Sequence, residues 1–463
     1  MGYQVSLDNF TKGKMFDSKG KIHHNSGNTF KLFPFIANNN SDPVLDLDPL
    51  VGDYLCRIEG KKPKNITPDE LVDKLMEDTE ISPGSEEFFN NAIRQLYFTS
   101  EGMMRPLNLQ FIEQKTCTEP SENRIAEYLV DILGNVTSLK SILTDAHKTT
   151  MASGNVLESF VLSKLEYDDF ILSPDSIHYF RIINSLQEVF EEDFAYVLEN
   201  PKRLREYLVI LLEIYFFSYT AQSCLQLSRF LDGERTSNVP VYFCLEWEKT
   251  SQSRLCFVEG WQKLQASISK IFAHAITLEI LNHTEAESEL VDYIRLNELI
   301  TDETEDARIS KQIDGLTEVY RNAIGDCVEM NELRKKDTTQ GLTADSVRFL
   351  FDSIRVQFEN TGRTRAYGSY ANKFEQYCRK FLKSRGRSGM MLNLSEENLI
   401  FLTKMCIKNN EQMRLKDVFT AFERRGIFLD DISKEQATEY FERLNLIEKK
   451  SDSGDAKYVK RIL

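Results

Sequence analysis

Few side chains in this sequence stand at spacings that could do chemistry. Glu59-Gly60-Lys61 is an E-x-K preceded by Asp46, Asp48 and Asp53. Two such carboxylates can hold Mg²⁺ while the lysine steadies a phosphate, a nuclease-like constellation. The competing reading is solvated surface charge, because such combinations arise readily in a chain that is 28% charged. Surface charge is the reading preferred. Glu448-Lys449-Lys450 is a second E-x-K, but it falls in a C-terminal hairpin. No G-x-x-x-x-G-K-S/T occurs; Lys19-Gly20-Lys21 and Gly60-Lys61 lack the upstream glycine at the right distance. H-E-x-x-H and G-x-S-x-G are absent as well. The six histidines, His23, His24, His147, His178, His274 and His283, form no ligand set in sequence. The eight cysteines stand singly without a C-x-x-C, which reads as buried reduced thiols in a cytoplasmic chain. No catalytic residue, metal ligand or cofactor is expected, and the chain is not expected to be an enzyme.

Charge offers more than catalysis does. The net charge is −15, which repels nucleic acid and anionic membrane taken as a whole. Between Thr361 and Met390, however, stand Arg363, Arg365, Lys373, Arg379, Lys380, Lys383, Arg385 and Arg387 against the single acid Glu375. That segment carries +7 and leaves −22 for the rest. Solubility alone does not ask for such segregation, since mixed signs solubilise better. Tyr370, Phe374, Tyr377 and Phe381 step by four, three and four, one helical face, and read as core rather than as a base-stacking platform. The bases can then point outward and neutralise phosphates. The Ser384-Arg385-Gly386-Arg387-Ser388-Gly389 end reads as flexible enough to follow a backbone. The alternative is a basic patch that docks on an acidic protein surface.

The elements that must position these residues are mostly helices. Residues 1–65 read as an irregular, partly stranded arm, with β-like runs at Phe30–Ile36 and Tyr54–Ile58. Residues 66–335 read as a helical body, interrupted near Pro201. Within it, Tyr207–Tyr219 is almost wholly apolar but too short to span a bilayer, so it reads as a buried core helix. Val239–Trp247 reads as a strand or a buried connection. Arg334–Asp337 and Thr338-Thr339-Gln340-Gly341 look like a linker, and 342–392 forms a basic helical segment. Met1-Gly2-Tyr3-Gln4 lacks the basic and apolar regions of a signal peptide, so export is not expected.

Residues 393–463 read as a compact winged-helix-like module. A first helix starts at Ser395 with Glu396 and Glu397 in its first turn. A second carries Leu415, Val418, Phe419 and Phe422 and stops at Gly426. A third starts with Ser433 and Gln436 at capping-box spacing. Two runs flanking Ser451-Asp452-Ser453-Gly454-Asp455 then suit a β-hairpin. The third helix, Asp430–Leu444, nets −3, which argues against sequence-specific readout in a major groove. The hairpin is basic, with Lys449, Lys450, Lys457 and Lys460 as phosphate contacts.

The string Arg425-Gly426-Ile427-Phe428, Asp430-Asp431, Leu444-Asn445-Leu446-Ile447 and Ser451 to Ala456 with Tyr458-Val459 resembles the C-terminus of the DptG family. His24-Asn25-Ser26-Gly27-Asn28 with Lys31-Leu32-Phe33-Pro34-Phe35 is similar to that family's opening. The family belongs to bacterial phosphorothioation-dependent (Dnd) restriction systems, which attack DNA lacking a sulfur mark. The resemblance implies a non-catalytic subunit working with DptF, an ATPase-like protein, and DptH, a helicase- or translocase-like protein. The expectation is therefore a mainly α protein with a short, partly β N-terminal arm and a C-terminal winged-helix-like module. It would bind double-stranded DNA through phosphates, without sequence preference and without a membrane. The alternative is a scaffold whose module and basic segment bind only protein partners.

Overall fold

The structure, a computed structural model, describes residues 3–37, 43–153, 155–170, 176–285, 289–449 and 457–462. It is mainly helical, with nine short strands named among the described residues. Contacts divide the chain into two compact units. One comprises Val44–Ser176 and Leu186–Phe216; the other comprises Met1–Pro43, Ile177–Ser185 and Phe217–Leu463. These are not the four consecutive segments read from composition, because the opening residues pack with the C-terminal half.

In the 44–216 unit the helix Val51–Glu59 buries Val51, Tyr54, Leu55 and Ile58, and Gly60 ends it in the left-handed conformation. The β-like reading of Tyr54–Ile58 is thus corrected. Aromatic and branched residues suggested a strand, but apolar positions at i, i+3, i+4 and i+7 favour a helix. Strand β1 (Lys61–Pro63) follows and pairs antiparallel with β2 (Tyr167–Asp169). The helices Leu109–Glu113 and Val136–Ser153 pack against Val51–Glu59 and against each other.

The helix Pro201–Leu227 begins at the proline expected to interrupt the pattern, where a missing N–H costs nothing. It is long and apolar enough to cross a membrane, and 83% of its most apolar window is buried inside the structure.

In the other unit, residues 3–37 hold the helix Leu7–Lys12 and otherwise only isolated bridges, among them Lys31 to Tyr179. The strand expected at Phe30–Ile36 does not form: Phe30 tucks against Phe180 at 4.7 Å, and Pro34 has no N–H for a ladder. The Glu279 carboxylate caps this loop by accepting from the N–H groups of Gly27, Thr29 and Phe30. Every residue of its helix, Ile271–Leu281, is buried. Around it pack Glu303–Ile324, Leu342–Glu359 and the basic helix Thr364–Cys378. Arg334–Gly341 is pinned rather than loose: Lys335 pairs with Asp314 at 2.9 Å, and Thr338 bonds Asp345 through its N–H and hydroxyl.

Tyr242–Leu245 within the Val239–Trp247 run is a strand, β3, with Phe243, Cys244 and Leu245 fully buried. It lies inside the sheet β4-β5-β3-β7, formed with β4 (Leu382–Ser384), β5 (Met390–Leu394) and β7 (Phe428–Leu429). β3 runs parallel to β5 and to β7, while β4 and β5 form an antiparallel hairpin. A second sheet, β6-β9-β8, joins β6 (Gln412–Arg414), β9 (Lys457–Lys460) and β8 (Ile447–Lys449) antiparallel. The helices Glu396–Ile407, Leu415–Arg424 and Asp431–Arg443 accompany it. Ser395 caps the first as expected. The third is capped by Asp430, not Ser433: the Asp430 carboxylate accepts from the Ser433 N–H, and Ser433 is buried in the first turn. The hairpin centre, 450–456, lies outside the described residues.

Candidate functional site

The aromatic face of the helix Thr364–Cys378 is core. Tyr370, Phe374, Tyr377 and Phe381 are buried, with Phe217 against Phe381 at 4.3 Å. Burying that face leaves the bases to the remaining faces, and they divide into two groups. Arg363 forks onto Asp326, with N–O distances of 2.6 and 3.0 Å, and donates to Gln357. Lys383 pairs with Glu246 at 3.2 Å, and Lys457 with Glu442 at 3.0 Å. Arg385 is a structural residue: its guanidinium donates to the carbonyls of Leu245, Glu246 and Glu248 and to Asn393 Oδ1. It stitches the β4–β5 turn to the end of β3.

This corrects the flexible reading of Ser384–Gly389. The segment is a closed turn in which the Arg385 N–H reaches the Gly389 carbonyl at 2.7 Å, and Gly386 and Gly389 both have positive φ. Glycines supplied turn geometry here, not looseness.

The second group faces solvent. Arg365, Arg379, Lys380 and Arg387 are exposed, and Lys373 is half-buried. A groove of about 710 Å³ runs beside the basic helix, lined by Thr364, Arg365, Gly368, Ser369, Asn372 and Lys373. Lys449 and Lys460 are exposed on β8 and β9, and Lys450 lies outside the described residues.

The leading end of the helix Asp431–Arg443 is not presented to solvent in full. Arg254 donates to both Asp430 oxygens and to Ser433 Oγ at 2.8 Å, and also binds Glu248. Arg254, Glu248, Asp430 and Ser433 are all buried. Burial alone would raise the Asp430 carboxyl, but the Arg254 fork outweighs it and holds the group below its ordinary range. Further along, the Tyr440 ring packs tilted against Trp247, with centroids 4.7 Å apart.

The E-x-K has a different setting from the one expected. Asp48 pairs with Lys115, and Asp53 accepts from the Cys117 N–H, so neither joins Glu59. Glu59 and Lys61 instead meet Glu113, at the end of the helix Leu109–Glu113, and His147 on the helix Val136–Ser153. Lys61 Nζ binds Glu59 and lies 2.8 Å from Glu113; His147 Nε2 lies 2.9 Å from Glu113 and 3.2 Å from Glu59. Tyr167 donates to Glu113 Oε2 at 2.8 Å from β2. The Glu113 side chain is fully buried and that of Glu59 only 13% exposed, so solvated surface charge is the wrong description.

The electrostatics follow from that burial. Desolvation alone would raise Glu59, yet His147 and Lys61 bring it down to about 2. Desolvation would lower His147, yet the Glu113 and Glu59 carboxylates lift it to about 9. Nothing in the sequence near Glu59 pointed to Glu113 or His147, since His147 is 88 positions away.

No family model matches the chain, and no curated protein matches it either.

Proposed function

We propose that this protein is a non-catalytic subunit that holds duplex DNA by its phosphates, through the exposed bases of 361–390 and of strands β8 and β9. The observation that carries the reading is charge segregation. A +7 segment in a −15 chain presents Arg365, Arg379, Lys380 and Arg387 outward while its aromatic face is used up in the core. Phosphate contact of this kind releases counterions and needs no base readout.

The C-terminal elements support the same reading. The order helix, β6, helix, β7, helix and the β8–β9 hairpin, with the sheet order β6-β9-β8, supports a winged-helix reading, although β7 pairs with β3 outside that sheet. In winged-helix and helix-turn-helix readers the leading residues of the third helix reach the base edges. Here that end is held by Arg254, and the helix is acidic, so contact falls to the basic wing strands. The resemblance to DptG supplies a context: a restriction complex acting on unmodified DNA beside DptF-like and DptH-like partners. A partner-binding scaffold is the second reading, favoured by the acidic Asp431–Arg443 helix.

The test is fluorescence anisotropy of the full chain with a labelled duplex. Wild type is compared with Arg365→Glu, Arg379→Glu, Lys380→Glu and Arg387→Glu combined. All four are exposed, and circular dichroism checks that the combined variant folds. A loss of affinity of at least about tenfold supports the reading; unchanged affinity, or no binding by wild type at low salt, favours the scaffold.

A further inference from the structure

The Glu59–Glu113–His147 cluster belongs to the unit that carries none of the basic segment, so it is independent of the DNA reading. Its ligand-capable atoms all lie within 4.8 Å of one another. An ion with bonds of about 2.0–2.2 Å spans partners up to about 4.4 Å apart, so a shift of a few tenths of an ångström closes the set.

Three features point to a cation. Lys61 already supplies one, its ammonium binding both carboxylates. Glu113 is fully buried, and its Oε1 receives no hydrogen bond; His147 Nε2 is 2.9 Å away but out of line. The other oxygen, Oε2, is anchored by the Tyr167 hydroxyl, the kind of outer partner that orients a ligating carboxylate. Mixed carboxylate and imidazole donors suit zinc-like ions, whereas Mg²⁺ and Ca²⁺ take oxygen sets.

We propose that this cluster binds one divalent transition-metal ion of the zinc type through the Glu59 and Glu113 carboxylates and His147 Nε2, with the Lys61 ammonium giving way. The two carboxylates balance the ion's charge. The Lys61 side chain, 21% exposed and lying over the Tyr167 ring at 4.3 Å, withdraws toward solvent along that ring.

The experiment is equilibrium dialysis of the full chain against Zn²⁺, with bound metal counted by mass spectrometry. One ion per chain is expected, with affinity lowered at least about tenfold in His147→Ala and in Glu113→Gln. Lys61→Met keeps all three ligands and removes the competing cation, so it should bind more tightly than wild type. Wild type that retains no ion, undiminished binding by His147→Ala, or Lys61→Met binding no better than wild type overturns the proposal. If the ligand variants fail to fold by circular dichroism, the Lys61→Met comparison decides.

Discussion

Arg385 and Arg387 sit two positions apart in one turn, and only Arg387 can be spared for a ligand. Arg385 satisfies three backbone carbonyls and Asn393, so truncation strands those acceptors. Arg385→Ala should cost roughly 2–3 kcal/mol in a urea titration, while Arg387→Ala should stay within about 0.5 kcal/mol. Composition counted both as phosphate contacts, because nothing local distinguishes a base that will meet carbonyls from one that will meet water. The same limit hid Glu113 and His147 from the reading of Glu59 and Lys61. Their meeting also has a pH signature. His147 stands near 9 against an ordinary 6.5, so its stabilisation is complete below 6.5 and disappears as pH climbs through 9. Glu59 stands near 2 against 4.5, so its share is present above 4.5 and vanishes as pH falls toward 2. In chelator-treated protein the wild-type melting temperature should fall between pH 6.5 and 9, and His147→Gln should flatten that slope. An equal slope in the variant would remove His147 from the account.

Elements were legible where one face was apolar and periodic. The 4-3-4 aromatic steps of the basic helix, the cap at Ser395 and the paired runs around the C-terminal turn needed only local pattern. Two misreadings have physical causes. Tyr54–Ile58 has strand-like residue types at helical spacing, and spacing won because burial acts on a face. The spacing of Ser433 and Gln436 suggests a cap at Ser433, but Asp430 both caps the helix and answers Arg254, which lies 176 positions earlier. The helix Val51–Glu59 also depends on a close approach. A Cβ on Gly52 would meet the Lys115 carbonyl oxygen at 1.9 Å and that of Ile112 at 2.6 Å. Gly52→Ala should therefore destabilise by about 1–3 kcal/mol, read as a lowered urea midpoint, because backbone on both sides must move. An unchanged midpoint would mean that the 112–115 segment yields without cost.

At the scale of the whole molecule, the governing feature is a −22 remainder that carries a +7 segment. On the proposed DNA reading, that difference in sign would orient the chain on a duplex before contact. The segregation of charge is readable from the sequence alone. Which bases serve is not, because Arg363, Lys383, Arg385 and Lys457 are tied to partners distant in sequence. The most direct measurement is the salt dependence of duplex-DNA affinity for the wild-type chain. If Arg365, Arg379, Lys380, Arg387, Lys449 and Lys460 each neutralise one phosphate, log Kd against log salt should rise with a slope of about 5.4. The four-residue charge reversal should lower that slope to about 1.8 or less. A slope near zero in wild type, or a steep slope that persists in the reversal, would contradict the phosphate-track account.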